Sequence, residues 1–221
     1  MTFTHDFLQR HEITRIDSPN GRKYQTPSGD RFESVTTWLG RSSDKSYLKE
    51  WRDRIGDAEA DKITKRASER GTRLHNNAEQ YLLNERIDVG AMSMLDKSLF
   101  VPFSKVLDEH VDNLRAMEYP LYSNTLKLAG TVDLVAWYDG VLSLIDFKTS
   151  KNRKSKEDID DYFIQTLIYS LMVEEMYGIR IKQLVIMIAL DYENKVQLFV
   201  ENRSHYVDKL LERVNAFPPQ V

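Results

Sequence analysis

The order of apolar and polar positions divides the chain into two halves of different character. From Ser34 to Leu83 apolar residues recur at helical spacing among many charges, which predicts helices, with Gly56 and Gly71 bounding or interrupting them. A further helix is predicted from Ser98 to Met117, with Pro102 in its first turn. The pattern then changes. Tyr119 to Lys148 is rich in Val, Leu, Ile, Thr, Trp and Tyr and contains Asp139-Gly140, a two-residue hairpin signal. A helix is expected from Glu157 to Tyr177, ended by Gly178, followed by a buried strand from Lys182 to Asp191. Lys195 to Glu201 reads as the partner of that strand and Ser204 to Asn215 as a last helix. The opening, through Asp30, holds two turn clusters (Ser18-Pro19-Asn20-Gly21 and Thr26 to Asp30) and reads as loops with short strands. This order predicts a mixed α/β layered fold, with a sheet of three or more strands and a crossover helix.

The hairpin carries the first candidate chemistry. With a two-residue type I′ turn at Asp139-Gly140, Tyr138 pairs with Val141 and the register puts Asp133 opposite Asp146 and Thr131 opposite Lys148. The flanking residues Val132, Leu134, Val135, Leu144, Ile145 and Phe147 are apolar, so both faces of these strands are expected to be covered. Two facing carboxylates there require compensation. Two readings stay open on the hairpin alone. Either a hard divalent cation such as Mg²⁺ or Mn²⁺ lies between the acids, or Lys148 neutralises one of them while the other sits at a solvated strand end.

Two helical pairs add to this. His75 and Glu79 lie four apart on one helix face, as metal ligands or a charge pair could. Gln165 and Tyr169 are also four apart, beside an apolar stripe of Leu167, Ile168, Leu171 and Met172; taken alone, that pair fits a half-exposed helix edge. Between hairpin and helix, Lys148, Lys151, Arg153, Lys154 and Lys156 form a basic run, which is a solvated loop by itself and a phosphate contact beside a metal site.

Composition narrows the chemistry further. The chain of 221 residues has 0 cysteines, which removes disulfides, thiolate-bound clusters and zinc, and a Cys nucleophile. With 31 Lys+Arg against 34 Asp+Glu, the net charge of -3 argues against a protein that coats nucleic acid through global basicity. The apolar run Leu184–Leu190 is far shorter than the ~20 residues a bilayer span needs. The opening residues Met1 to Asp6 have no basic segment leading into an apolar one, so an intracellular protein is expected.

In order along the chain, His75-x-x-x-Glu79, Gly130-Thr131-Val132-Asp133, Ile145-Asp146-Phe147-Lys148-Thr149 and Gln165-x-x-x-Tyr169 resemble the motifs of the PD-(D/E)XK nuclease superfamily, specifically its RecB-like exonuclease branch. Upstream, Ser34-Val35-Thr36-Thr37-Trp38-Leu39, Trp51 and Arg70-Gly71-Thr72-x-x-His75 are similar to the mitochondrial genome maintenance exonucleases and related bacteriophage proteins. The likeness runs from Ser34 to Leu190. It departs from the name pattern in one place, where Val132 stands instead of Pro before Asp133.

The resemblance implies a restriction-endonuclease-like core: a mixed central sheet flanked by helices, in one nuclease domain over 1–221. Within it, 1–97 is a helical, DNA-gripping part and 98–221 the α/β catalytic core. It implies one or two Mg²⁺ or Mn²⁺ ions held by His75, Asp133, Asp146 and the Phe147 carbonyl, with Lys148 catalytic. Gln165 and Tyr169 would orient the site or the DNA, and Glu79 would support the ligands or reach the ion through water. DNA contacts are expected from Ser34, Thr36, Thr37, Arg66, Arg70, Arg73 and Thr149, and from the loop carrying Lys151, Arg153 and Lys154. Trp38 and Trp51 could stack on bases, although at least one is expected in the core. The implied activity is metal-dependent hydrolysis of DNA from single-stranded ends in recombination, repair or replication, in the cytoplasm of a bacterial or bacteriophage-infected cell. A structure-directed endonuclease on the same fold and a catalytically silent DNA-binding module are the alternatives. Digestion polarity, RNA preference and protein partners do not follow from the sequence.

Overall fold

The computed structural model describes residues 2–19, 21–44 and 46–220. Asn20, in the first predicted turn, and Met1, at the start of the segment read for a leader, lie outside them. No helix among the described residues is long and apolar enough to cross a membrane.

One mixed sheet of eight strands organises the fold: β1 (Thr14–Ser18), β2 (Gly21–Gln25), β3 (Arg31–Ser34), β4 (Val111–Ser123), β5 (Leu128–Tyr138), β6 (Val141–Ser150), β7 (Gln183–Leu190) and β8 (Lys195–Asn202). The helices are α1 (Val35–Ser42), α2 (Ser46–Ile55), α3 (Asp57–Leu82), α4 (Met94–His110), α5 (Asp160–Tyr177) and α6 (Val207–Ala216). The β6–β7 and β3–β5 pairs are parallel, and all other ladders are antiparallel. A parallel pair needs a crossover, and α5 supplies the one between β6 and β7.

Alternation along the central strands fills both faces. Leu144 and Ile186 point into a core built with Val35, Trp38, Leu167 and Ile168 of α1 and α5. Their neighbours Ile145 and Met187 point the other way, against Leu74, Ala78, Phe103 and Leu107 of α3 and α4. Helix α5 is buried nearly all round, and Gln165 and Tyr169 are only 9% and 2% exposed. The half-exposed edge is therefore excluded for that pair.

Three boundaries differ from the sequence expectation. Helix α4 starts at Met94, where the Ser93 side chain caps the Asp96 N–H, so Pro102 sits in the helix interior and not in its first turn. The helix ends at His110, and residues 111–117, expected to be helical, instead open the long strand β4. Gly56 precedes α3 with φ 83, but Gly71 lies inside that uninterrupted helix. The opening segment supplies three strands that belong to the same sheet as β5 and β6.

The hairpin forms at Asp139 (φ 49) and Gly140 (φ 75), the two left-handed positions of a type I′ turn, and pairs Tyr138 with Val141 through Leu134 with Ile145. There the ladder stops, one pair short of Asp133 and Asp146. Strand β4 covers one edge of β5 from Leu128 to Tyr138. The other edge is divided: β6 takes Leu134–Tyr138 and β3 takes Leu128–Ala129. Residues 130–133 thus have no ladder partner on that edge among the described residues. The expected Asp133–Asp146 and Thr131–Lys148 ladder pairs do not form, because β6 leaves to follow β7. The Phe147 N–H bonds the Asp133 carboxylate at 2.7 Å instead of a backbone carbonyl.

Gly140→Ala places a Cβ on a left-handed residue and is expected to cost about 1 kcal/mol. Urea unfolding should show a lower midpoint with an unchanged slope.

Candidate active site

The fork between β5 and β6 collects the ionisable groups. Glu118 of β4 stands level with Asp133, since Met117 pairs with Leu134 and Tyr119 with Val132. Its φ of 43 is left-handed, a conformation that costs a non-glycine residue on the order of 1 kcal/mol or more. From α3, His75 reaches the same point. Its Nε2 donates to the Phe147 carbonyl at 2.9 Å, which turns Nδ1 towards Glu118 Oε1 and Asp133 Oδ1, each 3.5 Å away. Burial opposes the imidazolium, but Asp133, the bond to Glu118 and the charge of Asp146 outweigh it, and the pKa rises to about 9. One turn further along α3, Glu79 is pushed upward by burial and by Glu118.

Asp146 sits on the α5 side of β6, 2% exposed. Its Oδ1 accepts from Gln165 Nε2 at 3.1 Å, while Oδ2 is ion-paired with the Lys148 ammonium. Burial raises its pKa to about 6; Lys148 opposes that shift and Asp133 adds to it. For Lys148, burial favours loss of the proton, but Asp146 and Asp133 prevail and its pKa rises. The ammonium also lies 5.0 Å from the centre of the Tyr162 ring. The Lys148–Asp146 pair of the metal-free reading therefore exists. Its second half does not hold, since the Asp133 side chain is only 11% exposed and lies between the Phe147 N–H and His75.

Tyr169 packs where β5 has no side chain. A Cβ on Gly130 would lie 2.6 Å from the Tyr169 hydroxyl, so only glycine lets α5 approach the fork this closely. Burial, then the nearby charge of Asp133, holds that hydroxyl neutral far above its usual range.

A divalent cation fits this donor set. His75, Glu118 and Asp133 each offer a ligand atom, all within 4.8 Å of one another, and two carboxylates with an imidazole are a donor set that takes such an ion. Glu118 escaped the sequence reading because the predicted helix ran through Met117. The signal was a lone acid among the apolar residues of Met117-Glu118-Tyr119-Pro120-Leu121, a strand-like run. Of the expected ligands, His75 and Asp133 belong to this group, and Asp146 lies beside it. The Phe147 carbonyl accepts from His75 Nε2.

His75, Glu118, Asp133, Lys148, Gln165 and Tyr169 line a cleft of ≈ 370 Å³. Ser34 and Thr36 form part of its wall, together with three residues not anticipated from sequence: Arg15, Arg22 and Tyr24. Other expected DNA contacts are engaged within the protein. Arg70 pairs with Asp191 at 2.5 Å and lies 3.4 Å from Thr149 Oγ1, Arg73 pairs with Asp96, and Arg153 with Glu193. Thr37 Oγ1 accepts from the Arg22 backbone N–H, whereas the Lys154 bond to Gln197 uses the backbone N–H and not the ammonium. Arg66 and Lys151 are exposed. Trp38 is a core residue, 0% exposed with its indole N–H on the Phe217 carbonyl, so it does not stack on bases; Trp51 is half-buried on α2.

A mixed sheet covered by helices on both faces, with acids and a lysine gathered where its central strands part, has the architecture of a restriction-endonuclease-like nuclease core. The family model for the PD-(D/E)XK nuclease superfamily matches residues 2–216, and the chain belongs to that superfamily. It is also similar to the human mitochondrial genome maintenance exonuclease 1, with 28% identity over 152 residues, 63% of this chain and 44% of that protein. The chain thus spans less than half the length of this relative.

The His75 shift has a stability consequence with a definite sign. A pKa raised from 6.5 to about 9 stabilises the fold fully below pH 6.5 and loses that contribution as pH climbs to about 9. In EDTA, the unfolding free energy should fall across that window by up to ~3 kcal/mol, at ~1.4 kcal/mol per pKa unit. The fall should be absent in His75→Asn; a flat wild-type profile would contradict the assigned charge.

Proposed function

We propose that the protein is a metal-dependent deoxyribonuclease that degrades DNA from single-stranded ends. The observation that carries this reading is the meeting of His75, Glu118 and Asp133 beside the buried Asp146–Lys148 pair, in a cleft open to solvent. The exonuclease name of the human relative supports end-directed action. Work in recombination, repair or replication is proposed on the resemblance of the motifs.

An Mg²⁺ or Mn²⁺ ion held by His75 and Asp133, with Glu118 or Asp146, would neutralise charge developing at phosphorus and acidify a water. The protein's own groups do the positioning. Gln165 fixes the Asp146 carboxylate by its Oδ1, and Phe147 fixes His75 by Nε2, so Nδ1 is left facing the acids. Lys148, kept charged by Asp146 and Asp133, donates hydrogen bonds to the attacking water or to a phosphate oxygen. The unpaired edge of residues 130–133 gives a substrate strand room to lie beside β5.

End-labelled linear and circular single-stranded DNA, incubated with Mg²⁺, Mn²⁺ or EDTA, tests the proposal. The linear substrate should be degraded with either ion and spared in EDTA, while the circle survives. Asp146→Ala and Lys148→Ala should each lose roughly 10²–10⁴-fold in rate. Cleavage of the circle would indicate an endonuclease, and inertness with every ion a silent DNA-binding module.

A further inference from the structure

The N-terminal hairpin carries an arginine pair that the proposed chemistry does not use. In the β1–β2 ladder Asp17 lies opposite Arg22, and Arg15 lies opposite Tyr24. Residues two apart on a strand share a face, so Arg15, Asp17, Arg22 and Tyr24 all project from the same side of the hairpin. That side is the cleft side, since Arg15, Arg22 and Tyr24 line the cavity that holds His75, Asp133 and Lys148. The hairpin is tied down at both flanks. Tyr24 Oη meets Thr131 Oγ1 at 3.2 Å, two residues from Asp133, and the Arg22 N–H donates to Thr37 at 3.1 Å.

The bonding within the pair is specific. Arg15 and Arg22 each donate Nε to a different oxygen of Asp17, both at 2.9 Å. One carboxylate thus holds two guanidiniums side by side through their inner nitrogens. Their five-donor forks keep terminal N–H groups for another acceptor. Arg15 and Arg22 remain 50% and 35% exposed, and two cations share one acid, which leaves a net positive charge. The same cleft carries Glu118 and Asp133. A ligand with one end at those acids and an anionic group at the hairpin would meet complementary charge at both places. The spare donors suit phosphate oxygens.

We propose that Arg15 and Arg22 form a phosphate clamp for a DNA backbone group next to the one being cleaved, with Asp17 as the strut that keeps them parallel. The clamp rests on the nuclease reading and adds a substrate-binding subsite to it. It is a binding device and takes no part in bond breaking.

Binding of a 5′-labelled single-stranded oligonucleotide is measured by fluorescence anisotropy in EDTA between 50 and 200 mM salt, ionic conditions in which each lost phosphate contact is readable. Arg15→Gln with Arg22→Gln should weaken binding by about tenfold and flatten the log–log salt slope by about 1.4, at ~0.7 per single-strand contact. The loss in kcat/KM with Mn²⁺ should fall mainly on KM. Asp17→Asn, which breaks one bond of the strut but leaves both cations, should weaken binding less than the double variant and keep the wild-type salt slope. If the trio only stiffened the hairpin, Asp17→Asn would weaken binding as the arginine variants do, and that result overturns the clamp. So does a double variant that folds, by its circular dichroism melt, and binds with wild-type affinity and salt slope. The two failures are separable: wild-type protein that neither binds nor cuts DNA removes the nuclease reading and the clamp together. A wild type that cuts, with an arginine variant equal to it, removes the clamp alone.

Discussion

Carboxylates are crowded into the one place where the sheet comes apart. Asp133 and Asp146 would be opposite residues if β5 and β6 stayed paired, and Glu118 stands level with Asp133 on its other side. Two like charges directly opposite are unfavourable, and burial makes them more so. The strands part at that step, and compensation comes from side chains: the Phe147 N–H and the His75 ring for Asp133, Gln165 and Lys148 for Asp146. The left-handed backbone at Glu118 is part of the same concentration of strain. A fold spends stability on such an arrangement where something outside the chain relieves it, and a divalent cation is the simplest such partner.

The rest of the architecture holds that fork open and supplies its groups. Helix α5 crosses one face close enough to place Gln165 and Tyr169, which the missing side chain at Gly130 permits. Helix α3 crosses the other face and delivers His75, steadied by the Phe147 carbonyl and ring. Strand β3 takes the far end of the shared β5 edge and leads directly into α1, whose first residues reach the cleft wall.

Much of this was legible in the sequence because it depends on local rules. Asp139-Gly140 announces its turn, the turn fixes the register, and the register brings Asp133 near Asp146. The four-residue spacings of His75-Glu79 and Gln165-Tyr169 follow from helical period. What failed were features decided by tertiary context. The extrapolated ladder ignored that β6 would follow β7. Met117 was absorbed into a helix whose end at His110 carries no glycine or proline signal, and Glu118, just beyond the expected helix, went unseen. The arginines expected to grip DNA could be counted, but their acids could not. Asp191 and Asp96 lie 121 and 23 residues from Arg70 and Arg73, and no spacing rule connects them. Arg15 and Arg22 lay in a stretch read as loops with short strands, and only the sheet pairing turns them to the cleft.

The acids at the fork need a cation. Calorimetric titration of Mn²⁺ into the wild type and into a Glu118→Gln, Asp133→Asn double variant tests it directly. A saturable heat in the wild type that vanishes in the folded double variant is the predicted result. A wild type that takes up no Mn²⁺, or a double variant that binds it undiminished, would contradict the claim that the fork is built around a metal ion.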